Sequence, residues 1–410
     1  MEQQELIPHL FRTEYRKIIA VLCKHFGLEH MGIAEDIASD TFLTAAQVWP
    51  MHGIPINPVA WLYNVAGNKA KNYLRRHILF ENKIAPQVKT DAHLFEYEPD
   101  LSHQNIADSQ LQMMFAICHP SIPQEAQIGL SLRILCGFGI EEVADAFLAS
   151  KDAINKRLYR AKEKLREEKI KIELPAPSEI DARLDTVLTT IYLLFSEGYY
   201  SVSRDRALRK EVCLEAMRLC HMLIEDTSTN KPQVNALMAL MCFHSSRFDA
   251  RVNKNGEWIL YEDQNTELWD VALVSKGIYF LNCAARGDRL TNYHLEAMIA
   301  YWSTQKTDTK EKWEAILQLY DSLLRVQYSP VAALNRTFAL AKAKSKATAI
   351  TEAEHLNLTN NQFYYALLGE LYTGIDNSKA IQNLQEALLL AKTQADKQVI
   401  QNKMAHLAHI

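Results

Sequence analysis

Glycine and proline are scarce in this chain, at 13 and 12 of 410 residues. That is about half their usual share of a globular protein. With so few breakers, and with abundant Ala, Leu, Lys, Glu and Gln, the composition points to helices. Paired cysteines are missing too. None of the seven (Cys23, Cys118, Cys136, Cys213, Cys220, Cys242, Cys283) forms a C-x-x-C pair, and their number is odd. Free buried thiols in a reducing compartment are expected, and neither a zinc site nor any other cofactor. No apolar run is long enough to span a bilayer, so no membrane partner is expected. The opening Met-Glu-Gln-Gln-Glu lacks the basic head and apolar core of a signal peptide, and a cytoplasmic location is the expectation. An excess of positive charge is also absent. Lys and Arg number 45 against 49 Asp and Glu, a net charge of -4, and residues 1–171 hold 20 basic and 21 acidic side chains. Any nucleic-acid binding must therefore rest on local clusters.

What is present is helical periodicity. It predicts helices over 5–27, 33–49 and 59–79, with Pro50, Gly53, Pro55 and Pro58 breaking the chain between the last two. Residues 90–108 carry five acids (Asp91, Glu96, Glu98, Asp100, Asp108) and no Lys or Arg, the mark of a linker. Helices resume at 109–118, 123–136, 140–147 and 151–170, and Pro175 and Pro177 close the segment. From 178 the pattern is helical almost to the end. Ser329-Pro330 and Asp376-Asn377-Ser378 read as helix starts. Paired helices at 331–344, 347–355, 361–373 and 378–392 have loosely the spacing of tetratricopeptide repeats, although the signature residues are degenerate. Residues 249–270 interrupt the pattern as an insertion or long loop.

Three constellations carry chemistry. In the pair 140–147 and 151–170, Ile140, Val143, Ala144 and Phe147 form an apolar face, and Ser150 caps the second helix. Ala153, Ile154, Leu158, Ala161 and Leu165 face a core. Lys151, Asn155, Lys156, Tyr159, Arg160, Lys162 and Lys164 are left for solvent or DNA. This is the layout of a helix-turn-helix, or equally of an ordinary helix with a solvated basic face. The second is the helix from Trp61, where Asn64, Asn68, Lys71, Asn72, Arg75 and Arg76 share one side. Amides, cations and aromatics on one surface suit single-stranded DNA, and also suit a plain polar helix surface. The third is Asp36 and Asp40, one turn apart, with no histidine at helical spacing. They fit a protein-docking surface better than a catalytic or metal pair.

Together these segments resemble a known pattern. Ala34-Glu35-Asp36-x-x-x-Asp40-x-Phe42, Trp49, Pro58-x-Ala60-Trp61-Leu62, Asn68 and Leu74-Arg75-Arg76 resemble sigma-70 region 2. Pro123, Leu130-x-Leu132-Arg133, Gly139-Ile140-x-Glu142-Val143-Ala144 and Lys156-Arg157-Leu158-Tyr159-Arg160-Ala161-Lys162 resemble region 4. The order is that of extracytoplasmic-function RNA polymerase sigma factors. Further stretches resemble the subgroup with a long tetratricopeptide-like helical extension: Cys118-His119-Pro120, Ala146-Phe147-Leu148, Phe195-Ser196-Glu197-Gly198-Tyr199, Leu260-Tyr261-Glu262-Asp263-Gln264 with Trp269-Asp270, and Ser329-Pro330-Val331-Ala332-Ala333-Leu334-Asn335-Arg336.

The resemblance implies an all-α protein that is not an enzyme. Its parts are region 2 at 1–80, an acidic linker at 81–108, a region 4 helix-turn-helix at 109–171 and a helical extension at 175–410. Asp36, Asp40 and Phe42 would lie in the helix that docks on the β′ clamp of core RNA polymerase. Asn57, Trp61, Asn64, Asn68, Lys71, Asn72, Arg75 and Arg76 would take the −10 element of promoter DNA. Lys151, Asn155, Lys156, Tyr159, Arg160 and Lys164 would take the −35 element. The acidic linker would occupy a polymerase channel built for nucleic acid. Asn72 stands where many relatives carry Asp, Ser39 where Gln is common, and Phe195-Ser196 where Phe-Asn is frequent. For the extension, a regulatory domain that binds a protein or ligand is favoured over a structural scaffold. For the whole chain the rival is a stand-alone helix-turn-helix regulator. A metal or acid–base cluster of His244, Glu257, Glu262, Asp263, Asp270 and His294 has no support from spacing.

Overall fold

Helix α1 (Gln3–Phe26) has apolar residues on almost every side in its second half, and Tyr15, Ile18, Ile19, Ala20, Val21, Leu22 and Cys23 are all fully buried. A helix without a polar face must sit at a centre. The computed structural model, which describes residues 3–84, 100, 102–147, 149–200, 206–251, 259, 261–391 and 394–408, has it there. Helices α2 (Met31–His52), α3 (Pro58–Ile84) and α4 (His103–Ile117) pack around α1. After α5 (Gln124–Leu130) the chain widens into a π-helical turn over Ser131–Leu135, where the Cys136 N–H donates to the Ser131 carbonyl at 2.9 Å. This turn also packs on α1, with the Arg133 guanidinium 5.7 Å from the Tyr15 ring centroid. Helices α6 (Ile140–Ala146) and α7 (Lys151–Glu167) follow, then α8 (Ile180–Tyr200) and α9 (Arg206–Glu225).

The chain divides into two compact units, 1–229 and 230–410. The border expected between 171 and 175 thus falls inside the first unit. The reason is visible in α8 and α9. Arg183 donates to the Phe115 carbonyl at 2.7 Å, Thr190 to Gln127 Oε1 at 2.8 Å, and Arg218 to the Leu135 carbonyl at 2.8 Å. Buried Arg16 on α1 pairs with Glu215 on α9 at 2.5 Å, and Arg218 pairs with the same carboxylate at 2.7 Å. Burial works against the charge of Glu215, but Arg218 and Arg16 outweigh it and hold its carboxyl below the usual range.

Helix boundaries also depart from expectation. α2 runs through Pro50 to His52, because a proline in the last turn removes only one backbone bond. It ends at Gly53, whose φ of +84° favours glycine. α4 starts at His103, capped by Ser102, so Asp108 is helical rather than part of a linker. Asp91, Glu96 and Glu98 lie outside the described residues.

The second unit is a succession of helices: α10 (Pro232–Ser245), α11 (Val271–Ala284), α12 (Asn292–Trp302), α13 (Lys310–Val326), α14 (Pro330–Ala343), α15 (Lys346–Leu356), α16 (Gln362–Tyr372), α17 (Asn377–Leu390) and α18 (Gln394–Ala408). Each packs on its chain neighbours. α10 is buried on nearly all sides, and no Cβ fits at Gly277 of α11, where the Phe243 ring lies within 2.5 Å of that position. Small residues (Ala339, Ala343, Ala349, Ala353, Ala380, Ala387) alternate with Leu334, Leu340, Tyr364, Leu371 and Leu384 in the core of α13–α18. Ser329 and Asp376 cap α14 and α17 as expected. Among the described residues of 248–268 there are three short 3-10 turns. The described residues contain helices and no strand, so the fold is all-helical.

Candidate nucleic-acid interface

Residues 64, 68, 72, 75 and 76 follow helical spacing along α3, and Asn64, Asn68, Asn72, Arg75 and Arg76 are all exposed. Leu62, Ala66 and Ala70 anchor the opposite face. Lys71 is half-buried. Asn57 has a positioning role as well: its Oδ1 accepts from the Ala60 N–H at 3.0 Å and caps the start of α3. Trp61 is half-buried and meets buried Trp49 edge to face at 5.4 Å between ring centroids. Between these two rings the chain turns through Gly53, and Met51, Ile54 and Ile56 project from the bend. Ile56 is as exposed as in an extended chain, at 107%. Sequence reading gave Asn57 of this loop a role but missed these apolar side chains, whose only signal is their position between prolines.

Asp36 and Asp40 are exposed on α2, and Asp40 is ion-paired with Lys69 of α3. Phe42 is different. It is buried against Phe11, ring centroids 5.1 Å apart, and near Tyr15. Phe42 is thus part of the core beneath the helix rather than of an outward docking face, because α2 buries residues 34, 37, 38, 41, 42, 45 and 49 as one stripe.

In the first unit α6 and α7 pack together, with Ser150 capping α7 by accepting from the Ala153 N–H at 3.2 Å. Ile154, Leu158, Ala161 and Leu165 are buried. Ala153, expected in the core, is exposed, since it lies one position off that stripe. Gly129 of α5 lets α7 come close: a Cβ there would stand 2.9 Å from Leu158 Cδ2. Lys151, Asn155, Lys156, Tyr159, Arg160 and Lys164 are all exposed. Their charges are not equally available. Lys151 pairs with Glu141, which holds that carboxyl below its ordinary value. Lys164 pairs with Glu168 at 2.8 Å, which pushes its ammonium up. Lys162 pairs with Glu35 of α2 at 2.6 Å. Asn155, Lys156, Tyr159 and Arg160 make no hydrogen bond or ion pair with described residues and form a contiguous polar face.

Residues 10–78, which include Trp49, Trp61 and the α3 face, match the family Sigma-70 region 2. The N-terminal part of the chain thus carries a sigma-70 region 2 segment. Its sequence is also similar to the uncharacterized protein R00370 of Rhizobium meliloti (strain 1021). The two are 30% identical over 397 residues, 95% of this chain and 93% of that one, so the chain belongs to the same family as that protein. Residues 183–285 match a family of unknown function, DUF6596. No solved structure matches the chain. The region 2 match supports a sigma-factor-like role in transcription initiation, and the α3 face and the adjoining loop lie inside the matched segment. Among the described residues no His, Cys, Asp and Glu cluster could hold a metal, and no helix is long and apolar enough to cross a membrane. His294, one of the scattered His and acidic residues considered for a metal, instead serves its own helix. Its Nδ1 accepts from the Thr291 N–H at 3.2 Å and its Nε2 faces the Ala284 carbonyl at 3.3 Å, capping α12. Glu257 lies outside the described residues.

Proposed function

We propose that this chain is a sigma factor of the extracytoplasmic-function type, which binds core RNA polymerase and directs promoter-specific initiation, with a regulatory helical extension. The observation that carries the reading is the exposed Asn-Asn-Asn-Arg-Arg row of α3 inside the region 2 match, beside a loop that presents Met51, Ile54 and Ile56. Guanidinium groups hold phosphates, amides read base edges, and apolar and aromatic side chains accept unstacked bases. Melted −10 DNA offers all three.

Asn155, Lys156, Tyr159 and Arg160 are then the face for the −35 element. Asn and Lys near the start of α7 suit base edges, and Arg160 suits phosphate. Asp36 and Asp40 face the β′ clamp of polymerase, with Phe42 supporting them from below. The four acids ahead of α4, Asp91, Glu96, Glu98 and Asp100, supply the charge for a channel-threading linker. The extension controls access of these modules to polymerase, a role suited to helical repeats that present binding grooves.

Transcription in vitro with core polymerase and a library of genomic promoters tests the reading. Specific transcripts should require both the chain and core enzyme. Protection of an operator by the chain alone, without polymerase, would instead make it a stand-alone regulator. The regulatory role is tested by removing 230–410. A cut at 175 would strip α8 and α9 from the first unit. If the remaining chain keeps full promoter activity and the same response in cells, the extension is no regulator.

A further inference from the structure

Two cations in the second unit are buried with no carboxylate in contact. Arg247, two residues past the end of α10, is 9% exposed, and Lys312 of α13 is 2% exposed. Neither forms an ion pair with a described residue. Both flank Tyr261, with the Arg247 Cζ 5.4 Å and the Lys312 Nζ 5.3 Å from its ring centroid. Arg247 also lies 5.9 Å from the Trp269 ring centroid.

Lys312 donates to the Tyr261 hydroxyl at 3.1 Å and to the Gln305 carbonyl, both neutral acceptors. The rings around Arg247 attract the face of the guanidinium, but they give its in-plane N–H groups no acceptor. Arg247 Nε is buried and unpartnered, as are Trp269 Nε1 and Gln264 Oε1. Buried donors almost always find a partner, and buried charge is normally compensated. The acids of the neighbourhood are engaged elsewhere. Glu262 and Asp308 lie 2.9 and 3.6 Å from Lys342, and Asp308 also accepts from the Trp313 indole.

We propose that Arg247, Lys312 and Trp269, gathered around Tyr261, form a binding site for a small-molecule oxyanion, the carboxylate or phosphate of a metabolite. The ligand oxygens take the Arg247 Nε and Trp269 Nε1 protons and lie against both cations, while the Tyr261 and Trp269 rings bound the rest of the molecule. Burial lowers the Lys312 ammonium, Asp308 opposes, and Arg247 and Lys342 lower it further, so a bound anion supplies charge that this place lacks. Tyr261 and Trp269 come from the 261–269 turns, which interrupt the helical pattern, and Arg247 and Lys312 approach them from the end of α10 and from α13. The site is independent of the sigma reading, because its ligand binds without polymerase or DNA.

Calorimetric titration of the full-length chain with inorganic phosphate, and separately with acetate, at constant ionic strength in chloride, tests it. Saturable binding of either anion is expected. Phosphate alone identifies a phosphate-bearing ligand, acetate alone a carboxylate, and binding of both a general oxyanion site. Arg247→Met keeps an unbranched stem over Tyr261 and should weaken binding about tenfold with unchanged circular dichroism. Lys310→Ala, exposed on the same helix as Lys312, should leave it unchanged. The idea is overturned if the natural chain shows no saturable binding of either anion up to about 10 mM, or if folded Arg247→Met binds as tightly as the natural chain.

Discussion

Lys162 of α7 and Glu35 of α2 form an ion pair at 2.6 Å, with side chains 25% and 18% exposed. A helix of the −35 candidate is thereby tied to α2, the helix that bears Asp36 and Asp40, the acids proposed to face polymerase. The pair is more sheltered than a surface contact, so Lys162→Glu should lower the stability of the first unit by about 1–2 kcal/mol. Adding Glu35→Lys should restore most of it. Urea unfolding of the two single variants and the double variant measures this coupling.

Phe42 and Asp40 sit two residues apart on α2 and should behave in opposite ways. Phe42→Ala opens a cavity beside Phe11 and should cost about 3 kcal/mol of stability. Asp36→Arg with Asp40→Arg changes exposed side chains and one ion pair, so the chain should stay folded. That double variant should lose core polymerase in a co-sedimentation assay. Full polymerase affinity would remove the docking role from these acids.

Glu215 gives the first unit an acid-sensitive clasp. Its carboxyl is held below the ordinary 4.5 by Arg218 and Arg16 despite burial. A depressed folded value means that the stabilisation is complete above pH 4.5 and fades as pH falls through the lower folded value. Thermal unfolding between pH 3 and 7 should therefore have a shallower acid limb in Glu215→Gln, which should also be less stable at pH 7.

On α7 the exposed cations should differ in worth. Arg160 makes no ion pair with a described residue, while Lys164 already pairs with Glu168. Arg160→Ala should reduce transcript yield from promoters that depend on the −35 element about tenfold, the scale of one lost charged contact. Lys164→Ala should change it much less. Run-off transcription at fixed salt compares the two.

Much of this molecule is legible in its sequence, for physical reasons that can be named. Period-3.6 stripes such as Ile154, Leu158, Ala161 and Leu165 dictate which face a helix buries. Caps such as Ser150, Ser329 and Asp376 dictate where it begins. The polar row of α3 follows from the same spacing. What escapes is whatever depends on distant partners. Phe42 carries no mark that separates a core ring from a docking ring, because only Phe11 and Tyr15 decide it. Lys162 reads as one more surface cation until Glu35, 127 positions earlier, is beside it. The helical character of His103–Asp108 is hidden by its place at the end of a stretch, 90–108, that has five acids and no Lys or Arg. The role of Arg247 depends on turns at 261–269 that have no periodicity to read.

Arg183 and Thr190, which reach the Phe115 carbonyl and Gln127, lie inside the 183–285 segment shared with the family of unknown function. Those two side chains root the first part of that segment, up to Thr229, inside the first unit rather than leaving it an appended cassette. A chimera that swaps the segment between relatives must bring matching hosts for both bonds, and a lineage that discards it must rebuild the surface left bare. Inheritance should therefore have kept the two stretches together.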